Sequence, residues 1–243
     1  MKLVKWEQLP PLMQGEEVKK YYDILRRKRF SLLLKRGFDL VVSAMALLIL
    51  SPVFAVLAVA IKLDSPGPVF YRQDRVTQFG KHFRIFKFRT MVQNADKGLK
   101  ITVGNDQRIT KVGRFIRKCR LDEISQLIDV FRGTMTFVGT RPEVTKYTDQ
   151  YTPEMLATFL LPAGVTSLAS IYYKDEAALL EGAEDPDQAY VEKILPGKMY
   201  YNLKAIETFS FWGDIKIMLM TVLAVLGKEY KDIRTTEKEE MKV

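Results

Sequence analysis

Residues 40–61 read LVVSAMALLILSPVFAVLAVAI, and only Ser43, Ser51 and Pro52 in this run are not apolar. As continuous helix at about 1.5 Å per residue it would extend about 33 Å, enough to cross a hydrocarbon core. Proline removes a backbone donor and clashes with the preceding turn. Ser51-Pro52, at the middle of the run, is therefore expected to break it into two shorter helices set at an angle. Lys35-Arg36 precede the run, and Lys62, Arg72, Arg75 and Lys81 follow it. Cations on both flanks favour neither orientation of a spanning helix, but they suit a hairpin that enters and leaves on the cytoplasmic side. The competing readings are a bitopic helix with a mild proline kink and a buried helix of a soluble protein.

Outward from this segment, residues 1–30 form a polar arm with Pro10-Pro11 and a basic cluster at Arg26–Arg29. No apolar h-region marks the arm as a secretory signal, and it is expected to be peripheral and partly helical from Glu16. The hairpin is assigned to 31–63, a globular part to 64–230 and a polar tail to 231–243. Asp64-Ser65-Pro66-Gly67-Pro68 is a turn cluster. Short strands are expected at Val69–Arg72 and His82–Arg89, around a turn at Gln78-Phe79-Gly80. Residues 93–110 read as loop, with a turn at Gly104-Asn105-Asp106. A helix begins near Lys111–Arg114, and another runs from about Asp122 to Phe131 with Ile124, Leu127, Ile128 and Phe131 at the spacing of one buried face. Several short helices are expected in 150–205. In the second apolar stretch, Phe209–Leu226, the uninterrupted portion is too short to span, which predicts an interfacial or core-packed helix.

The chain has 243 residues, 38 basic and 29 acidic, for a net charge of +9. Through Arg120 there are 25 basic and 9 acidic residues (+16), and from Leu121 onward 13 and 20 (−7). The basic half is expected to meet an anion: phosphate, nucleic acid or a lipid surface. Cys119 and His82 are the only residues of their kinds, which excludes a disulfide framework, a Cys-rich zinc site and a two-histidine metal site. No G-x-S-x-G or P-loop string is present. Nucleophilic or acid/base chemistry therefore falls mainly to carboxylates, with Lys, Arg or a hard metal ion assisting.

Lys87 and Arg89 lie two residues apart, on one face of the expected strand. Arg108, Lys111, Arg114, Arg117, Lys118 and Arg120 crowd one short region, as guanidinium forks for a phosphate ligand would. The alternative is a solvated face that touches anionic headgroups; duplex nucleic acid fits poorly beside a membrane segment. Into this region falls the pair Asp122-Glu123. Adjacent helical residues diverge by about 100°, so the two carboxylates suit separate tasks at one site, as nucleophile and as metal ligand or acid/base partner. An Asp-Glu pair at a helix start is also a common cap.

The motifs Lys35-Arg36-x-Phe38-Asp39, Ser51-Pro52, Asp64–Gln73 (DSPGPVFYRQ), Lys87-Phe88-Arg89-Thr90-Met91, Arg108-Ile109-Thr110, Leu121-Asp122-Glu123 and Val138-Gly139-x-Arg141-Pro142 occur in one order. With them the chain, from about residue 30 to 226, closely resembles the bacterial sugar transferases, the monotopic phosphoglycosyl transferases that act on polyprenol phosphate. The resemblance implies an α/β membrane-associated fold: a re-entrant helix-break-helix hairpin carrying a small mixed α/β cytosolic part with interfacial amphipathic helices. It implies transfer of a sugar 1-phosphate from a UDP-sugar to undecaprenyl (polyprenol) phosphate with release of UMP, as the first membrane step of a glycoconjugate or exopolysaccharide pathway. Asp122 is then the nucleophile that forms a phosphosugar-enzyme intermediate and the ligand of Mg²⁺, with Glu123 assisting. Arg117 and Arg141 match the family's phosphate-facing arginines, and Lys87 and Arg89 are expected to bind phosphate or serve structure. The implied setting is the cytoplasmic face of the bacterial inner membrane, with membrane lipids as partners, no nucleic acid, and room for a homo-oligomer. Thr140 stands where many relatives carry Pro. The competing expectation is a non-catalytic membrane-anchored basic module that recruits anionic partners.

Overall fold

Two helices meet at the expected break: α2 (Arg29–Ile49) and α3 (Ser51–Asp64), bent by 60°. Pro52 lacks an N–H, so it fits the first turn of α3 without leaving a donor unsatisfied. The end of α2 is closed by the Leu50 N–H, which donates to the Ala46 carbonyl at 2.8 Å, and by Ser51 Oγ, which donates to that of Leu48 at 2.8 Å. Among the described residues no single helix is long and apolar enough to cross a membrane, and only this bent pair passes together. The computed structural model describes residues 1, 3–93, 108–174, 176–180, 183 and 185–230, without the side chains of 177 and 178. The turn expected at Gly104-Asn105-Asp106 and the tail 231–243 lie outside the described residues.

α2 has two unlike faces. Phe30, Leu33, Leu34, Leu40, Val41, Met45, Leu48 and Ile49 are exposed, so its apolar surface starts about ten residues before the run that marks it in the sequence. Leu32, Lys35, Asp39 and Ser43, at helical spacing, are buried against the globular body. Lys35 Nζ donates to the Val138 carbonyl (2.7 Å) and to Asp214 (2.5 Å). Asp39 accepts from Thr136 Oγ1 (2.7 Å) and the Phe137 N–H (3.2 Å). Arg36 donates to the Val130 and Phe131 carbonyls at 2.8 and 2.9 Å, and so closes the C-terminal end of α5 (Leu127–Arg132).

Among the described residues the body carries two two-stranded sheets. β1 (Phe70–Val76) pairs antiparallel with β2 (His82–Phe88), setting Tyr71 opposite Lys87 and Val76 opposite His82. The turn between them takes left-handed backbone at Phe79 and Gly80. β3 (Met135–Val138) and β4 (Ala163–Thr166) form a parallel pair that the sequence reading lacked. At its end the chain crosses itself closely: a Cβ added to Gly164 would lie 2.2 Å from the backbone of Gly139.

Helix α1 (Glu16–Arg27) begins where expected, but the arm is not peripheral. Leu9, Met13, Val18, Tyr21, Tyr22 and Leu25 are buried in one cluster with Ala157, Leu160, Ile206 and Phe209. The apolar spacing of the arm turns inward because partners more than 130 residues away supply the other half of that core. The buried face of the segment after Asp122 also differs from expectation. Ser125, Gln126, Asp129 and Val130 are buried, whereas Phe131 is 44% exposed. The reason is polar: Asp129 accepts the Phe86 N–H at 2.8 Å, so this face docks on β2 by hydrogen bonds. In the helix Phe211–Val225 only Ile217 is buried, while Trp212, Leu219, Val222, Leu223 and Val225 are exposed. It is therefore not a core helix, and it lies against α2.

Candidate active site

α4 (Lys111–Lys118) starts as expected, with Thr110 Oγ1 accepting the Gly113 N–H at 2.9 Å. Gly113 is needed where α4 touches the strand hairpin, since a Cβ would lie 2.0 Å from the Thr90 carbonyl oxygen. At Arg120 the backbone turns left-handed (φ 53°), a conformation that costs a non-glycine residue about 1–2 kcal/mol. This corner folds the 3₁₀ turn Leu121–Gln126 back beside α4. The turn is fixed to β2 by Ser125 Oγ, which donates to the Phe86 carbonyl at 3.0 Å. Asp122 and Glu123 thus sit next to Lys87, the neighbour of Phe86 on β2.

The two carboxylates have different surroundings. Arg141 donates to both oxygens of Glu123, with Nη1 3.4 Å from Oε2 and Nη2 on Oε1, and Lys87 Nζ lies 3.3 Å from Oε1. Burial opposes ionisation of Glu123, but the charges and hydrogen bonds of Arg141 and Lys87 outweigh it and hold its carboxyl at about 2. Asp122 is half-buried and, among the described residues, forms no ion pair. Burial, then the charge of Glu123, raises its carboxyl above the ordinary value, against a partial pull from Lys87 and Arg117. Lys87 is in turn lowered, first by burial, with Arg141 and Arg75 repelling its proton against the pull of Glu123. One carboxylate is therefore locked between cations, and the other is desolvated and open.

Of the expected site residues, Asp122, Glu123, Lys87 and Arg141 come together. Arg117 projects from α4 toward them, and its Nε donates to Thr90 Oγ1 at 2.9 Å. Arg89 goes elsewhere. It is buried and donates to the carbonyls of Pro66 (2.7 Å), Ser65 (2.6 Å) and Ile61 (3.3 Å), closing the end of α3 and the following turn. Ser51 and Pro52 stand at the distant bend of the hairpin. His82 and Cys119 are exposed and take no part.

Sequence reasoning missed a second polar layer behind Arg141. Arg75 Nη1 donates to the Pro142 carbonyl at 3.0 Å and Nη2 to Gln73 at 2.7 Å. Glu143 is buried and accepts from Tyr190 (2.5 Å) and Lys198 (3.0 Å). Burial first, then the charge of Glu143, pushes the Tyr190 phenol far up, so it stays a donor. One signal was available: Lys198 is a lone charge in the otherwise uncharged run Ile194–Leu203, and a cation within an apolar helix implies a buried partner.

Among the described residues no group of three or more His, Cys, Asp or Glu could hold a metal ion. The donor set fits a hard ion that arrives with a diphosphate, because Mg²⁺ needs only one or two protein carboxylates beside substrate oxygens. Asp122 alone of the pair has oxygens not already engaged by cations.

A family model described as bacterial sugar transferase matches residues 30–228. The UDP-glucose:undecaprenyl-phosphate glucose-1-phosphate transferase of Escherichia coli K12 is 38% identical over 196 residues, covering 78% of this chain and 39% of that protein. The UDP-N-acetylgalactosamine-undecaprenyl-phosphate N-acetylgalactosaminephosphotransferase of Aeromonas hydrophila is 34% identical, covering 79% and 44%. The undecaprenyl-phosphate galactose phosphotransferase of Salmonella typhimurium is 34% identical, covering 83% and 42%. The chain thus spans about two fifths of the length of these relatives.

Proposed function

The chain belongs to the bacterial sugar transferase family, and from that membership and the geometry of its carboxylate pair we propose that it is a phosphoglycosyl transferase. Its substrates would be a UDP-sugar and undecaprenyl or another polyprenol phosphate. The observation that carries the reading is the contrast within the pair: Glu123 is locked by Arg141 and Lys87, while Asp122 beside it has no ion pair among the described residues. A desolvated carboxylate with raised basicity suits a nucleophile, and one held between two cations suits an organiser of phosphate-binding groups.

In the first step an oxygen of Asp122 bonds to the sugar-bearing β-phosphorus, the bond from that phosphorus to the bridging oxygen breaks, and UMP leaves. In the second, a phosphate oxygen of the polyprenol phosphate attacks the same phosphorus and releases the Asp122 carboxylate. Arg141, Lys87 and Arg117 neutralise the diphosphate as charge shifts onto the leaving phosphate. Mg²⁺, when bound, would be held by Asp122 and substrate oxygens, and would supply further charge neutralisation.

An acceptor with its tail in lipid and a donor in water require a site at headgroup depth. The exposed apolar side chains of α2, α3 and the helix Phe211–Val225 are too many for a surface facing water. They support a re-entrant hairpin and an interfacial helix in the cytoplasmic membrane, with the site on the cytoplasmic face. On α4, exposed Phe115 between exposed Lys111, Arg114 and Lys118 suits anionic headgroups. Such a reaction would open the lipid-linked stage of a glycoconjugate or exopolysaccharide pathway.

The test is UMP release by the chain in nanodiscs with Mg²⁺, undecaprenyl phosphate and a panel of UDP-sugars, together with capture of the phosphosugar on Asp122 when acceptor is withheld. Undiminished release by Asp122→Asn would overturn the mechanism. A non-catalytic basic module would release no UMP with any donor.

A further inference from the structure

Behind Arg141, one ammonium serves two carboxylates. Lys198 Nζ, with its side chain only 7% exposed, donates to Glu143 Oε1 at 3.0 Å, Glu176 Oε2 at 3.0 Å and the Tyr190 hydroxyl at 2.7 Å. Those three bonds use all the protons an ammonium has. Glu143, 9% exposed, also accepts from Tyr190 and is sufficient to neutralise Lys198. The charges of Arg75 and Arg141 also reach Glu143, so Glu176 is set apart by its exposure rather than by excess charge. Its side chain is 36% exposed, and among the described residues nothing donates to its Oε1.

This outward carboxylate is tied through Lys198 to the loop that carries Arg141. Glu143 follows Arg141 by two residues, on the loop whose guanidinium holds Glu123, and Lys198 bridges Glu143 to Glu176. The charge of Glu176 is felt at the Arg141 guanidinium and at the Tyr147 phenol. A carboxylate there repels a diphosphate, so it does not bind the phosphates. It suits the uncharged, donor-rich part of a nucleotide sugar.

We propose that Glu176, held by Lys198, is a specificity residue that accepts hydrogen bonds from hydroxyl groups of the donor. This deepens the transferase reading and rests on it. A UDP-sugar offers two sources of such hydroxyls, the hexose and the ribose, and deoxy analogues tell them apart. A site built to bond a hydroxyl discriminates strongly against an analogue that lacks it.

The experiment uses the full chain in nanodiscs and compares wild type, Glu176→Ala and Glu176→Gln. Donors are the preferred UDP-hexose, its 2-, 3-, 4- and 6-deoxyhexose analogues and its 2′- and 3′-deoxyribose analogues. Each is measured by UMP release and, on an Asp122→Asn background, by equilibrium binding. With the complete donor, Glu176→Ala is expected to lose about 10- to 100-fold in kcat/KM, mostly through KM, the scale of one or two hydrogen bonds to a charged group. Glu176→Gln should lose less. For one analogue the loss on going from wild type to Glu176→Ala should vanish, and the missing hydroxyl names the source. An equal loss on every analogue, or no loss on the complete donor, overturns the proposal. Binding that discriminates without any turnover would sink the transfer reading and leave this one standing; turnover without convergence on any analogue would do the reverse.

Discussion

Replacing Lys35 with Met tests whether the hairpin is fastened to the body by buried charge. Lys35 is 3% exposed and its partner Asp214 13%, so deletion of the ammonium leaves a nearly buried carboxylate alone. Breaking such a pair from one side costs about 3–5 kcal/mol. The Val138 carbonyl also loses a donor, worth about 1 kcal/mol. At about 2–4 °C per kcal/mol for a chain of this size, Tm should fall by about 8–24 °C. In the wild type, burial raises the Asp214 carboxyl above its ordinary value, with Lys35 drawing it back. An acid raised in the folded state costs stability above its unfolded pKa, and the cost fades as pH falls through the folded value. Without Lys35 the carboxyl rises further, so the deficit should be largest near pH 8 and shrink toward the ordinary carboxyl range. Adding Asp214→Asn should recover much of it. Thermal unfolding of detergent-solubilised single and double variants at pH 8 and pH 5 gives the measurement. A Tm within 2 °C of wild type at both pH values, or a double variant less stable than Lys35→Met, refutes the reasoning.

Glu123→Gln leaves Arg141 and Lys87 without their counter-charge, and kcat/KM for UMP release should fall about a hundredfold, the worth of two charge-assisted hydrogen bonds; unchanged kinetics would remove Glu123 from the site. In Gly164→Ala the new methyl would lie 2.2 Å from the Gly139 backbone, so stability should drop by about 1–3 kcal/mol or more. Activity should drop with it, because the loop carrying Arg141 must move. Gly37→Ala, at an exposed position inside α2 where a Cβ meets nothing within 4 Å, is the control and should raise stability by about 0.5–1 kcal/mol. Cysteines placed at Ser31 and Lys81 in a Cys119→Ser background should both label from the cytosolic side of inverted vesicles; labelling of position 31 only from the opposite side would exclude the re-entrant hairpin.

The break at Ser51-Pro52, the start of α4 near Lys111 and the strand pairing about Gln78–Gly80 were legible because each depends on residues adjacent in the chain. Proline chemistry, a threonine cap and a glycine turn act locally. What the sequence hid depends on partners far along it. Lys35 reads as a flanking cation until Val138 and Asp214, more than 100 and almost 180 residues on, close around it. Asp129 reads as the solvent side of an amphipathic helix until the Phe86 N–H shows that side to be the docked one. The arm looks peripheral because half of its core lies in 157–209. At the site, the Asp-Glu pair was visible, but the inequality of its members was not, since it is set by Arg141 from the acidic half of the chain.

That last point changes the meaning of the charge division at Leu121. A surplus of +16 before it suggests one bed of cations waiting for an anion, yet the structure divides these cations by task. Lys35, Arg36 and Arg89 are turned inward onto carbonyls and a carboxylate, where they close helix ends and fasten the hairpin. Lys111, Arg114 and Lys118 stay exposed around Phe115, and any anion they meet is met at the surface. From that half Lys87 and Arg117 act on the carboxylate pair, and a third cation there, Arg141, comes from beyond the boundary. The exposed cations and the three that lie near the carboxylate pair are thus different residues, so under the proposed function surface binding and catalysis can be altered separately.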